Sequence, residues 1–337
     1  MPATANSPVH RSPPAPAQAK RGAVALAFAA IYVIWGSTYF AALVALETLP
    51  PYLLMAARLL LAGTLLAGLS QLRGQPALRR AGWPRNAACG VLILGLGSGS
   101  TVWAEQVLPS SLAAILATTV PLWLAVLDWP RWAQYRHEKL RLLGLLLGGL
   151  GVVGLFGEQL LASAARLPGP GYWLAVGAIG AGSLCTAAGA LLNRYWAAPG
   201  PPLPNAAQQL LAAGLFCGLV GTAAGEWAQV APAQVSGRSL WAVGYLVVFG
   251  SGVAYLAYLW LLQVRPPAVV GTYAYVNPVV AVLLGAGLAH EAISRQQVLA
   301  LGVILGGVWL INRPALVPPL PSSQAQQPKK QPAKLLA

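Results

Sequence analysis

Ten apolar stretches, each long enough to cross a bilayer, fall into two groups of five, and the closing segments of the two groups resemble each other. A span needs about 20 apolar residues to cross a hydrocarbon core of roughly 30 Å. The sequence predicts spans at Gly22–Val44, Pro51–Leu69, Asn86–Val107, Pro109–Leu127, Leu140–Gly157, Gly171–Leu192, Asn205–Gly225, Leu240–Leu262, Pro267–Ala289 and Gln296–Ile311. In the first group stands PSSLAAILATTVPLWLAV, Pro109 to Val126; in the second, PPAVVGTYAYVNPVVAVLL, Pro266 to Leu284. Pro109 falls over Pro266 and Pro121 over Pro278, and LGLLLGG (Leu143–Gly149) is followed in kind by LGVILGG (Leu301–Gly307). Five is an odd number of crossings, so the second copy must lie upside down in the membrane. Inverted repeats are common among secondary transporters, which hold their site between the halves. The expected fold is an all-α integral membrane protein of ten transmembrane helices in two inverted five-helix repeats. Residues 22–157 form the first repeat and 158–312 the second, between disordered cytoplasmic tails at 1–21 and 313–337.

Composition and charge support a membrane solvent. Of 337 residues 57% are hydrophobic and 8% charged, with mean hydropathy +0.64, where a soluble protein carries roughly a quarter charged residues. The net charge of +14 is not spread as a nucleic-acid surface, because no basic cluster is interleaved with stacking aromatics. Instead it gathers in alternate loops, at Arg73, Arg79, Arg80 and Arg85 and at Arg131, Arg136, Lys139 and Arg141, and in the tails. The opposite loops hold Glu47, Glu105, Glu158, Glu226 and Glu291 against Arg166, Arg238 and Arg295. The positive-inside bias puts both termini in the cytoplasm, as an even number of spans requires. The apolar run after Lys20 and Arg21 continues through Trp35 to Val44, too long for a signal-peptide core. The longest polar connections, 70–85 and 129–139, are too short for a folded catalytic domain, so no enzyme is expected. Cys89, Cys185 and Cys217 fall inside apolar spans without metal or redox spacing. Neither a Walker A sequence nor His-Glu-x-x-His occurs, and no cofactor or metal is expected.

Small residues recur at four-residue spacing: Gly95 and Gly99, Gly144 and Gly148, Gly302 and Gly306. Such pairs let helix backbones approach closely in lipid. Pro121 and Pro278 are expected inside spans 4 and 9, as static bends or as hinges that free a carbonyl toward a solute.

Arg58 lies about seven residues into span 2, roughly 10 Å from its outer end. A lone cation there should face the bundle and find a partner. Glu105 near the outer end of span 3 is the first candidate and Glu47 the second; the pair reads as a fixed tie or as a gate. Where span 4 has Leu116, Thr118 and Val120, span 9 has Tyr273, Tyr275 and Asn277. Tyr273 and Asn277 share a helix face, and a phenol and an amide at mid-membrane suit an apolar cavity that needs a few orienting hydrogen bonds. Trp35, Ser37, Thr38 and Tyr39 form a polar-aromatic patch in span 1, and Tyr255 and Tyr258 add aromatic surface in span 8. The candidate solute-binding set is Trp35, Ser37, Tyr39, Arg58, Tyr255, Tyr273, Tyr275 and Asn277, with Arg58 and Glu105 as the coupling or gating pair.

Four segments resemble the EamA-type exporters of the drug/metabolite transporter superfamily. WGSTYF (Trp35–Phe40) looks like the family's first-helix motif, and PPYLLMAARLLLAG (Pro50–Gly63) its second, with Arg58 at the motif's arginine. AEQVLPSSLAAILATTVPL (Ala104–Leu122) is similar to the junction of helices 3 and 4, and TYAYVNPVVAVLLG (Thr272–Gly285), followed by Glu291, to the ninth-helix signature. The resemblance implies ten helices, residence in a bacterial inner membrane and efflux of amino acids, drugs or other metabolites. Small four-helix relatives of the superfamily dimerise, whereas this chain holds both halves; a monomer suffices and a homodimer is compatible. The leading expectation is alternating-access export, coupled to protons or running down the solute gradient. The alternative is a non-coupled channel. Arg58, the tyrosines and the asparagine suit a neutral or zwitterionic amphipath, while the aromatic faces suit an organic cation.

Overall fold

A helix that is apolar all round has no face to give to water, and the exposed residues of this chain show where its surface goes. On the first helix, α1 (Arg21–Leu46), Leu26, Val33 and Phe40 are 72%, 58% and 57% exposed while Ile31 and Ala45 are fully buried. Such an apolar outer surface is stable only against lipid. The computed structural model describes residues 20–76, 82–108, 113, 116–155, 157, 169–196, 198–288 and 294–313. The two tails, the Pro109 break and Glu291 lie outside the described residues.

After α1 come α2 (Pro51–Leu72), α3 (Trp83–Ala104), α4 (Val120–Leu127), α5 (Lys139–Leu155), α6 (Pro170–Tyr195), α7 (Pro202–Ala223), α8 (Gly237–Val264), α9 (Tyr273–Leu288) and α10 (Arg295–Asn312). No strand occurs among the described residues. Among the described residues seven segments are long and apolar enough to cross a membrane: α1, α2, α3, α6, α7, α8 and Pro267–Leu284, which joins a short helix to α9. The described part of α4 has 8 residues and α5 has 17. The first turn of α10 is polar, with Arg295, Gln296 and Gln297 capped by Ser294 in a reciprocal capping box.

The helices pack in pairs. α2 lies along α7 and α5 along α10; α1 packs on α8 and α9, and α6 on α3 and α4. Exchanging each helix of the first group with its counterpart in the second leaves this pattern unchanged. The seam between α5 and α10 is built on glycine. A Cβ on Gly144 would lie 2.6 Å from the Gly307 carbonyl, and one on Gly307 would lie 2.7 Å from the Gly144 carbonyl and the Gly148 nitrogen. Gly302 and Gly306, expected as packing glycines, have open space around them. Ala300, Ile304, Gly307 and Ile311 form the buried seam, and Gly306 sits a third of a turn away from it.

Two features of the backbone are not visible as apolar runs. Val91–Ser98 of α3 and Leu246–Ala254 of α8 are wound as π-helix, a rare form that clusters at functional sites. Pro278 lies inside α9 as expected. Pro121, however, stands in the first turn of α4, after a turn at Thr118 and Thr119. There its missing N–H has no helical partner to lose, so it begins a helix and does not kink one.

Candidate functional site

α1, α2, α3, α4, α6, α8 and α9 enclose a cavity of about 150 Å³ whose wall draws on both groups of helices. Trp35 of α1 forms its aromatic side. The indole lies edge-on to Tyr273 with centroids 4.7 Å apart and tilted against Tyr258 at 5.1 Å, and Tyr258 meets Tyr273 at 5.7 Å. Its Nε1 donates to the Gly250 carbonyl at 3.0 Å, inside the π-helical part of α8. Such ring contacts add about 0.5–1.5 kcal/mol each beyond area burial, so the wall is stiff.

Arg58 enters from α2. Its Nε donates to Ser251 Oγ at 2.7 Å. Gly250 makes room for it, since a Cβ there would meet the guanidinium Nη2 at 3.1 Å. No carboxylate lies within ion-pair distance of Arg58 among the described residues. The expected tie to Glu105 is absent, although both side chains line the same cavity. Glu47 is also excluded as its partner, being half-exposed and 3.9 Å from Arg238. Instead Ser251, in the π-helical part of α8, takes the Nε–H of the guanidinium, and the Nη atoms are left with no protein hydrogen-bond partner among the described residues.

Glu105, at the C-terminal cap of α3, lines the cavity and also a second hollow of about 520 Å³. That second hollow is formed by the α1–α2 connection, Gln106 and the Gln229–Gln234 segment. Glu105 therefore stands between the two spaces. Asn277 presents an amide whose Oδ1 has no partner among the described residues. Pro278, inside α9, cannot bond back to Ala274, which is on the cavity wall.

Trp35, Tyr39, Arg58, Glu105, Tyr255, Tyr273 and Asn277 are thus brought together. Ser37 and Tyr275 are not. The Ser37 hydroxyl donates to the Ile34 carbonyl at 2.8 Å and shares a 2.6 Å hydrogen bond with the Tyr245 hydroxyl. Tyr275 packs against Gly148 of α5 and donates to the Leu145 carbonyl at 3.0 Å. Two residues along a helix is a rotation of about 200°, so Tyr275 must face away from the side that Tyr273 and Asn277 share.

Other wall residues carry no mark in the sequence. Ser98, Thr101, Ser183, Thr186 and Ser251, with Thr38 from the span 1 patch, contribute hydroxyls, but hydroxyls are common in membrane helices and bond their own backbone. A buried amide network was legible in principle, because polar side chains inside spans are costly. Tyr255 donates to Gln209 Oε1 at 2.6 Å; Gln209 Nε2 donates to Asn193 at 2.9 Å, and Asn86 Nδ2 to Gln208 at 2.8 Å and Asn205 at 3.0 Å. This network ties α3, α6, α7 and α8 together beside the cavity. Among the described residues no group of three His, Cys, Asp or Glu side chains could hold a metal ion. The arrangement can therefore bind and enclose a small solute, with an aromatic wall, scattered hydroxyls and one guanidinium.

Comparison with known proteins agrees with this architecture. A crystal structure with 22% identity superposes with a TM-score of 0.71, covering 87% of this chain and 97% of its own; it shares the fold. The chain is 39% identical over 287 residues to the Escherichia coli (strain K12) protein named "Uncharacterized inner membrane transporter YedA", covering 84% of this chain and 88% of that one. It is 27% identical over 281 residues to "Protein PecM" of Dickeya dadantii (strain 3937), covering 83% and 89%. The family model described as "EamA-like transporter family" matches twice, over residues 22–157 and 172–313. With those two matches over helices that pack symmetrically around one enclosed cavity, the chain belongs to the EamA-like transporter family.

Proposed function

We propose that this protein is a secondary carrier that exports small organic solutes across a bacterial inner membrane by alternating access. The observation that carries the reading is the cavity: it is enclosed by both groups of helices, and it presents an aromatic wall and a guanidinium without a carboxylate partner. A site between two halves is where rocking of one against the other changes its exposure. In this reading the chain has ten transmembrane helices in two inverted five-helix repeats. The twofold family match and the exchange-symmetric packing support that arrangement. The clusters of Lys and Arg in alternate loops support cytoplasmic termini. The name of the Escherichia coli relative supports the inner membrane.

The solute-binding residues in this proposal are Trp35, Tyr39, Arg58, Tyr255, Tyr273 and Asn277, with Glu105 as the group through which protons couple or the outer side is gated. The experiment is a thermal-shift screen of the purified protein against amino acids, aromatic metabolites and lipophilic cations, followed by counterflow in liposomes for each stabilising solute. Saturable counterflow is expected. Flux that never saturates and shows no counterflow would replace the carrier with a pore.

A further inference from the structure

On one side Glu105 separates the cavity from the second hollow; beyond the opposite end lie close packing and a buried carboxylate. Gly271, in the turn before α9, has no room for a methyl group: its Cβ would lie 2.6 Å from Leu124 Cδ1 of α4. One turn beyond Leu124, Asp128 ends α4 with 0% exposure. Its Oδ2 accepts the Tyr135 hydroxyl at 2.7 Å, and its Oδ1 accepts the hydroxyl of Tyr195, 67 positions along the chain at the end of α6. Burial beside Asp128 raises the pKa of the Tyr135 phenol, which keeps it protonated and donating.

No Lys or Arg lies within ion-pair distance of Asp128 among the described residues; its hydrogen bonds come from the two phenols, and Arg194 and Arg131 are cations of the same cluster at longer range. Next to Tyr195, Arg194 donates to the Leu262 carbonyl and, at 3.0 Å, to the Arg265 carbonyl, where α8 ends. A cation suits the unsatisfied carbonyls of a helix C-terminus. The ends of α4, α6 and α8 are therefore tied by charge-assisted hydrogen bonds, worth more than neutral ones. At the Glu105 end the buried Glu226 carboxylate accepts the Tyr52 and Leu53 N–H groups at the start of α2, at 3.2 and 2.8 Å, but α1 and α8 are tied there by one neutral bond, Ser239 Oγ to the Val44 carbonyl at 2.9 Å, and by the exposed Arg238–Glu47 pair at 3.9 Å.

We infer that Asp128, Tyr195 and Arg194 form the latch of an inner gate: they hold the cavity shut at the cytoplasmic end and part when it opens there. The inference rests on the carrier reading, and its test needs no solute. With Cys89, Cys185 and Cys217 replaced by alanine, a reporter Thr101→Cys on the cavity wall is labelled with a membrane-impermeant maleimide. The reagent is applied to spheroplasts and, separately, to inside-out vesicles. The parent should label from the spheroplast side only. Tyr195→Phe and Asp128→Asn, each confirmed monodisperse in detergent, should raise labelling from the vesicle side roughly tenfold and slow it from the other, as loss of a hydrogen bond to a charged group shifts a two-state equilibrium. If both folded variants label like a one-sided parent, the latch is wrong and the carrier reading stands. A parent that labels equally fast from both faces overturns the carrier reading and the latch with it.

Discussion

Burying a guanidinium in a helix bundle is costly unless its donors are met, and Arg58 has one of them met, through Ser251. The remaining nitrogens border the cavity, where a solute's acceptor group would complete them. Lysine keeps the charge but loses both the fork and the sideways anchor. Arg58→Lys is therefore expected to transport little better than Arg58→Ala. Ser251→Ala removes about 1.5–3 kcal/mol of charged hydrogen bonding and should weaken solute binding about tenfold or more with maximal flux less affected. Counterflow of a stabilising solute in liposomes measures both, and a Ser251→Ala protein with unchanged affinity would show that the serine does not aim the guanidinium. The sequence revealed Arg58, Trp35 and Tyr273 because charge and aromatic bulk are conspicuous in an apolar span. It did not reveal Ser251, since a hydroxyl looks the same whether it serves its own backbone or a neighbour's arginine. Ser37 shows the converse: it belongs to a polar-aromatic patch in the sequence, but its hydroxyl is turned toward Tyr245.

At the scale of the helix, apolar length located the seven segments that are long and apolar enough to cross a membrane among the described residues and left their faces open. Gly302 and Gly306 have the spacing of a packing motif, yet Gly307 touches α5. A methyl on Gly307 would press on backbone atoms of Gly144 and Gly148 that cannot yield. Gly307→Ala is expected to cost about 1–3 kcal/mol through overpacking, while Gly306→Ala, in open space, should be neutral or stabilise by up to about 1 kcal/mol. Melting temperatures of the two variants in one detergent test this, and equal losses would mean that the seam is not where the glycines place it. The π-helical turns of α3 and α8 were equally hidden, because winding depends on tertiary contacts such as the Trp35 hydrogen bond to the Gly250 carbonyl. Sequence periodicity records which residues are apolar and not which carbonyl a turn will use.

At the scale of the whole molecule, the position of Glu105 between the cavity and the second hollow sets a condition on any coupling mechanism. A carboxylate reached from one side in one state and enclosed in another can exchange its proton with the solute's movement. A glutamine there keeps the size of the side chain and removes the titration. In the proposed carrier, Glu105→Gln should continue to exchange solute for solute, because exchange needs only the cavity and the gates. Net export driven by an imposed pH gradient should fall to the rate seen without a gradient. The two activities are measured in the same proteoliposomes, with solute on both sides for exchange and on one side for net flux. If Glu105→Gln loses exchange and net flux together, Glu105 is a gate or a binding group. If it keeps its response to the gradient, protons couple elsewhere, or the solute runs down its own gradient in a protein whose energetics need no carboxylate.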